Sequence, residues 1–335
     1  MLVVRPAGPK DYEHLMELAV LSGPGFTSLP EHEPTLRERL ECSQASFAGA
    51  KPDQDCWFTL MLEDIATGEV VGVGGVKAAV GIKRPFFSFR EITFAQSSPT
   101  LDMRFDHRAL VLVNECAGWS EVGSLFLKPE RRKGGAGQLL ALSRYLLIAT
   151  APGRFNENVL AELRGVFDAE GNSPFWECVT SKFFRMPFDQ ADEMSASTNG
   201  QFILDLAPRH PIYVDLLPER AKAVVGQVHK DGEAAMALLA REGFRKTGLV
   251  DIFDAGPTVS CPRDEIRTVK YAQRLGVRIG EAAGAPALVA VDDLGRFRAV
   301  RADVAVEGDE AVIPALAAEA LGVKAGDAVR VRTAV

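Results

Sequence analysis

The sequence predicts an α/β (α+β) chain, with a mixed, mostly antiparallel sheet flanked by helices and a small β-barrel at its C-terminal end. Three observations carry this expectation. Short apolar strands recur through roughly the first half of the chain, broken by helical periodicity and turn residues. Between residues 120 and 150 an apolar strand runs straight into a basic, glycine-rich turn and then into a helix. Beyond about residue 284 short alternating strands follow one another with a single helix among them. The expected organisation is therefore a principal region, residues 1–275, and a small β-barrel module of the double-psi kind, residues 276–335, with residues 262–284 compatible with either.

The elements follow in order. Leu2 to Arg5 reads as a strand, and Lys10 to Leu21 as a helix with Leu15, Leu18 and Ala19 on one face, stopped by Ser22-Gly23-Pro24-Gly25. A polar loop from Thr27 to Glu33 precedes a second helix carrying Leu36, Leu40 and Ser43. Trp57 to Leu62 and Val70 to Val80 are strands around the turn Asp64 to Gly68. Pro85 to Arg108, aromatic and polar, is expected to be a hairpin or an elaborated insertion rather than core. Strands Leu110 to Val113 and Val122 to Leu127, helix Gln138 to Thr150 and a strand near Val159 to Leu163 complete the main region. The barrel strands are Ala287 to Val291, Phe297 to Val300, Val304 to Val306 and Ala328 to Val331, with a short helix from Pro314 to Gly322.

Of 335 residues 47% are hydrophobic and 25% charged, an ordinary globular balance. A net charge of −7 argues against general affinity for nucleic acid or anionic membrane, yet suits a cationic substrate. The five cysteines (Cys42, Cys56, Cys116, Cys178, Cys261) are dispersed, with no Cys-x-x-Cys pair, and read as reduced thiols in a cytoplasmic protein. The chain begins directly on a strand with no signal peptide, and no apolar run is long enough to span a membrane. No two histidines or cysteines have the spacing of metal ligands, so no metal is expected.

Arg132, Gly135 and Gly137 stand at Arg-x-x-Gly-x-Gly spacing before the helical run Leu139, Leu140, Leu142, Leu146, Leu147. Such a turn points several backbone N–H groups at one spot on the positive end of a helix, with Arg131, Arg132 and Lys133 beside it. It reads as a seat for a diphosphate; the alternative is a tight turn that uses glycine only for its dihedrals. Neither Gly-x-x-x-x-Gly-Lys-Ser/Thr nor a Gly-x-Gly-x-x-Gly closing the first strand is present. The turn follows several strands and lies more than a hundred residues into the chain. That order resembles the Gcn5-related N-acetyltransferase fold, whose fourth strand and third helix grip the pyrophosphate of an acyl-coenzyme A.

A second resemblance covers nearly the whole chain. Its phrases are Thr27-Ser28-Leu29-Pro30, Leu125-Phe126-Leu127-x-Pro129-Glu130, Arg132-Lys133-x-Gly135-x-Gly137, Glu162-x-Arg164-Gly165-Val166, Ser173-Pro174-Phe175-Trp176, His210-Pro211-Ile212-Tyr213, Gly226-Gln227-Val228-His229 and Asp251-Ile252-Phe253-Asp254-x-Gly256-Pro257-Thr258. In this order they resemble the arginine N-succinyltransferase family. The resemblance implies transfer of succinyl from succinyl-coenzyme A, a co-substrate rather than a tightly bound cofactor, to the α-amino group of L-arginine. That reaction opens a bacterial arginine catabolic route. Some relatives also accept L-ornithine and work as two related subunits, so a homo- or hetero-oligomer is expected. The family's succinyl-coenzyme A contact falls on Leu125 and its proton donor on His229, with Gly134 and Ala136 at the variable places of the turn. The alternatives are a partner-stabilising subunit of a two-chain enzyme, or another amine N-acyltransferase of the same fold.

The residues can be given roles on that reading. Leu125, Phe126 and Leu127 would lie along the pantetheine arm, with backbone N–H groups on the thioester carbonyl as it becomes an oxyanion. Arg132, Lys133, Gly135, Ala136 and Gly137 would hold the diphosphate. The helix region that supplies a tyrosine in many relatives of the wider fold reads Ser173-Pro174-Phe175-Trp176, without a phenol, which leaves His229 to protonate the thiolate or take the amine proton. Thr27, Ser28, Glu162 and Arg164 are the candidate substrate contacts: carboxylates for a guanidinium, a cation for a carboxylate, and a loop over the acceptor. Asp251 and Asp254 could instead fix the turn at Gly256-Pro257.

Overall fold

The computed structural model describes residues 1–23, 26, 28–197, 201–281 and 284–333. Fifteen strands join edge to edge in one sheet that is open at one end and closed on itself at the other. In chain order these are β1 (Leu2–Pro6), β2 (Trp57–Asp64), β3 (Glu69–Lys77), β4 (Ser88–Ser98), β5 (Met103–Val113), β6 (Ser120–Leu127), β7 (Asn158–Glu162) and β8 (Ile212–Tyr213). There follow β9 (Arg245–Asp251), β10 (Pro257–Pro262), β11 (Gln273–Ile279), β12 (Ala285–Val291), β13 (Ala299–Glu307), β14 (Glu310–Ile313) and β15 (Ala328–Thr333). Among the described residues only β6–β7 and β11–β14 run parallel; the other pairings are antiparallel, in keeping with the mostly antiparallel sheet expected from the sequence.

Strands β2 and β3 are buried along almost their whole length, which requires cover on both faces of the sheet. Helices α1 (Tyr12–Ser22) and α2 (Glu33–Phe47) supply one cover, bringing Leu15, Leu18, Leu36 and Leu40 onto Met61, Val70, Val73 and Phe126. Helix α3 (Ala136–Thr150) supplies the other, with Leu139, Leu140, Leu142 and Leu146 against Leu60, Leu62, Val71 and Val76. The glycines of β3 let α3 close in: a Cβ on Gly72 would stand 3.1 Å from Leu140 Cδ2, and one on Gly74 3.3 Å from Arg144 Cδ.

The Pro85 to Arg108 stretch is a hairpin, β4 with β5, and the expected strand Leu110 to Val113 is the inner end of β5 rather than a separate element. The base of the hairpin is core: Phe89 and Leu110 are fully buried with Phe175, Trp176, Phe184 and Phe253 in a second apolar cluster. Short helices α4 (Ser181–Phe184), α5 (Phe188–Ser197), α6 (Gln201–Leu206) and α7 (Glu219–Lys222) gather around it, and α8 (Glu233–Glu242) and α9 (Arg267–Tyr271) return toward α3.

The C-terminal strands close in the ring β12-β15-β11-β14-β13-β12, a five-stranded barrel filled by Val277, Val289, Val300, Ile313, Val329 and Val331, with α10 (Ala315–Leu321) packed on it. Strand β11 begins at Gln273, so the expected boundary at 275/276 falls inside a barrel strand. The expected strands at 297–300 and 304–306 are one strand, β13, and β14 was not foreseen. Strand β1 pairs with β2 on one edge and with β13 on the other (Val3 opposite Val300), stitching barrel and main sheet together.

Leu140 lies at the centre of this arrangement and is fully buried. Leu140→Ala is expected to lower unfolding free energy by about 3 kcal/mol, read from the urea midpoint at unchanged slope.

Candidate active site

The site begins where β6 parts from its neighbours. β6 and β7 pair at Ser120 opposite Val159 and Glu121 opposite Leu160, with no further pairing between them among the described residues, so β6 runs on to Leu127 while β7 ends at Glu162. The unpaired stretch between Gly123–Leu127 and Ala161–Arg164 is the candidate cleft. On the other edge β6 is bulged: Val73 faces Phe126 and Gly75 faces Gly123, which sets Ser124 and Leu125 opposite the single residue Gly74. Ser124 adopts a left-handed φ of 49° at that point. The bulge takes the main chain of Ser124 and Leu125 out of the β3 ladder.

Gly75 and Gly123 stand opposite each other in register, and their missing side chains leave a small polar recess beside the bulge. Its lining includes Ser28, Trp57, Lys77, Glu121 and Ser124. Lys77 Nζ lies 3.1 Å from Glu121 Oε2. Ser124 Oγ donates to the Ser28 carbonyl at 2.8 Å, which brings the loop before α2 onto the bulge. Thr27, the neighbouring expected contact, lies outside the described residues.

Across the cleft, β7 ends at Glu162, paired with Thr258 of β10. Glu162 Oε1 is buried without a hydrogen-bond partner among the described residues. Burial, with Asp251, Glu121 and Asp254 nearby, holds its carboxyl well above the ordinary carboxylate range. Asp254 is pushed up to about 8 by burial and by Asp251. Both aspartates also shape the turn. Asp251 Oδ1 accepts the N–H groups of Phe253 (2.7 Å) and Asp254 (3.0 Å), and Asp254 accepts those of Gly256 and Gly165, each at 2.7 Å. The turn thus clamps the chain just after Arg164.

That clamp brings His229 and Arg164 together. The His229 N–H donates to the Arg164 carbonyl at 2.8 Å. The Asp231 N–H donates to His229 Nδ1 at 3.2 Å, which places the proton of the neutral ring on Nε2. The imidazole is largely buried, 11% exposed, beside the ring of Phe167, over which the Arg164 guanidinium lies at 4.5 Å. Burial and the charge of Arg164 pull the imidazole below its ordinary 6.5.

At the far end of β6 the glycine-rich turn differs from expectation in detail. Helix α3 starts at Ala136, with Gly135 as its N-cap at a left-handed φ of 82°, and Gly134 is also left-handed at 69°. Gly134 therefore answers a backbone demand rather than merely adding flexibility. Leu139 N–H donates back to the Gly135 carbonyl, so the amides of Ala136, Gly137 and Gln138 precede the first intrahelical bond and are open to an anion. Arg131 does not serve this turn; it pairs with Glu69 at 2.5 Å and Asp64 at 3.6 Å. Arg132 is exposed, its Nε donating to the Leu127 carbonyl at 3.1 Å, and Lys133 is exposed. The cation that sequence reasoning missed is Arg301 on barrel strand β13: a Cβ on Gly135 would run into its guanidinium.

Comparison with known proteins then fixes the lineage. The model of the arginine N-succinyltransferase beta subunit matches residues 2–268, and that of its C-terminal domain matches residues 272–333. Proteins called arginine N-succinyltransferase from Citrobacter koseri and Salmonella paratyphi B are 39% and 41% identical, each alignment covering 98% of this chain and 97% of theirs. The chain belongs to the arginine N-succinyltransferase family. The solved arginine/ornithine succinyltransferase subunit AI from Pseudomonas aeruginosa superposes with a TM-score of 0.90 at 36% identity, over 99% of this chain and 98% of that one. The family, the mixed sheet with its barrel and the acyltransferase class expected from the sequence all stand.

Within the family's frame, the expected residues fall into two groups. Ser28 meets the bulge beside Leu125, and Glu162, Arg164 and His229 gather at the end of β7, while Arg132, Lys133, Gly135, Ala136 and Gly137 form the turn before α3. Phe126 and Leu127 are buried, at 7% and 8% exposure, and bring side chains to the core rather than to the cleft. Phe175 and Trp176 are likewise core, and His210 is exposed. The His229 imidazole is expected to titrate below 6.5 in NMR spectra, and Arg164→Met to raise that midpoint by removing the neighbouring charge.

Proposed function

We propose that the chain transfers succinyl from succinyl-coenzyme A to the α-amino group of L-arginine. The observation that supports this reading is the parting of two strands: in a chain of this family, β6 bulges at Ser124–Leu125 and leaves β7, which ends on the buried carboxyl of Glu162. A thioester is already activated, so holding it in line with a neutral amine and stabilising the oxyanion carry most of the rate.

In this reading the pantetheine arm lies along β6, and the diphosphate rests on the amides of Ala136, Gly137 and Gln138 with Arg132, Lys133 and Arg301 around it. The thioester oxygen takes the N–H of Leu125. Glu162, with Glu121 and Asp254 behind it, draws in the cationic acceptor, and Ser28 borders the acceptor's entry. The amine nitrogen attacks the carbonyl carbon, and the C=O electron pair moves onto oxygen. The attacking nitrogen gives its surplus proton to the His229 ring, and on collapse the C–S bond breaks while that imidazolium passes a proton to the departing sulfur, which leaves the ring neutral again. A ring whose affinity for protons has been lowered by Arg164 is a stronger acid when charged, which suits this task.

The protein, given succinyl-coenzyme A and L-arginine, is expected to release free thiol and a product heavier than arginine by one succinyl group in mass spectra. No thiol release with arginine or ornithine would overturn the reading. His229→Ala is expected to lower kcat by about 100-fold or more with coenzyme A binding retained in calorimetry; an unchanged kcat removes His229 from the mechanism.

A further inference from the structure

Arg39 on α2 has no role in the mechanism above, yet its placement is unusual for a charged side chain. It is 3% exposed. Its guanidinium lies 4.1 Å from the ring of Trp57, and Nη1 reaches Ser124 Oγ, on the bulge, at a long 3.4 Å. The hydrogen of that hydroxyl is already committed to the Ser28 carbonyl. Arg39 Nε is buried with no hydrogen-bond partner among the described residues. A guanidinium carries five N–H donors, and burying one so poorly paired is costly unless an anion completes it. Burial, with the nearby charge of Arg84 and against that of Glu121, pulls its pKa down to about 9.

The neighbouring charges do not provide that anion. Glu121 acts on Arg39 electrostatically, but its carboxylate lies 3.1 Å from Lys77 Nζ. Glu121 is thus shared between Lys77 and Arg39. Arg144, equally buried at 3% exposure, makes the contrast: its guanidinium donates to the carbonyls of Ala141 (3.1 Å) and Gly123 (3.5 Å).

The geometry points to Arg39 as the group that holds the free carboxylate of the succinyl chain and so selects a dicarboxylic acyl donor. This rests on the transfer reaction proposed above. A thioester carbonyl on the Leu125 amide puts the acyl tail beside Ser124. The carbon of the far carboxylate is only about 4 Å from the carbonyl carbon in an extended succinyl chain, by ordinary bond lengths. The residue next to Leu125 is the one Arg39 reaches. A planar guanidinium suits a carboxylate in the paired, two-bond arrangement, and stacking on Trp57 fixes its plane. An acyl group of the same length ending in methyl would leave Arg39 buried and unpaired, which is the strongest basis on which a site rejects an analogue.

The test compares succinyl-coenzyme A with butyryl-coenzyme A at fixed L-arginine. The unsubstituted enzyme is expected to prefer succinyl by at least about 100-fold in kcat/KM, and Arg39→Met to cut that ratio by at least about 30-fold. Arg39→Lys, which keeps the charge but not the fork, should retain an intermediate preference. An unsubstituted enzyme that uses both donors equally overturns the inference. So does an Arg39→Met variant that loses both donors in proportion, or one whose only change is a raised KM for arginine, which would give Arg39 to the acceptor's carboxylate. Should Arg39→Met not fold, Arg39→Lys decides: a preserved bias toward succinyl supports the assignment, and equal losses overturn it. A protein that binds coenzyme A but transfers no acyl group defeats the transfer reaction itself, an outcome distinct from transfer without acyl selectivity.

Discussion

Strands β6 and β7 share hydrogen bonds at two residue pairs and then separate, and the same strand β6 leaves its other neighbour at the Ser124–Leu125 bulge. Backbone N–H and C=O groups released in this way must be solvated or paired. A sheet interior is therefore an improbable place to release them unless something else is meant to occupy the gap. The rest of the molecule supports that break. α3 is held against β3 by glycines, its N-terminus lies at the end of β6, and the β9–β10 turn locks the segment after β7 through carboxylate-to-amide bonds.

Electrostatics divides the cleft along its length. Cations gather where the acyl carrier is expected: the exposed Arg132 and Lys133, and Arg301 over the glycine turn, which comes from a separate part of the chain. Carboxyl groups gather at the β7 end, where Glu162, Asp251 and Asp254 are packed so closely that burial and mutual repulsion oppose their ionisation. On the proposed reading a cationic acceptor would relieve that repulsion on arrival, returning part of the cost of assembling these acids. His229 lies next to Arg164, just past the end of β7, where a lowered proton affinity is set first by burial and then by the charge of Arg164.

The barrel is more than an appendage. β1 pairs on one side with the main sheet and on the other with β13, and at the residue after Val300 of that junction Arg301 reaches the glycine turn. The same strand that closes the barrel thus reaches the turn to which the proposed reading gives the diphosphate. The strand stitching also explains why the composition change near residue 284 is a poor guide to the boundary: β11, from Gln273, already belongs to the ring.

Local order was legible in the residues themselves: strand and helix periods, the glycines of the turn, and the phrases around Leu125, Glu162 and His229 that mark the family. These are short-range signals, because a left-handed glycine or an apolar stripe is dictated by neighbouring atoms. The register break at Ser124 was not legible, since a bulge exists only relative to a partner strand. Nor were Arg301 at Gly135, Arg39 at Ser124 or the diversion of Arg131 to Glu69, which depend on contacts between residues 62 or more positions apart. Sequence determined which groups the chain possesses and which backbone bends it tolerates. Tertiary structure alone decided which charges were spent on one another and which were left facing the cleft, because burial and pairing are properties of distance in space.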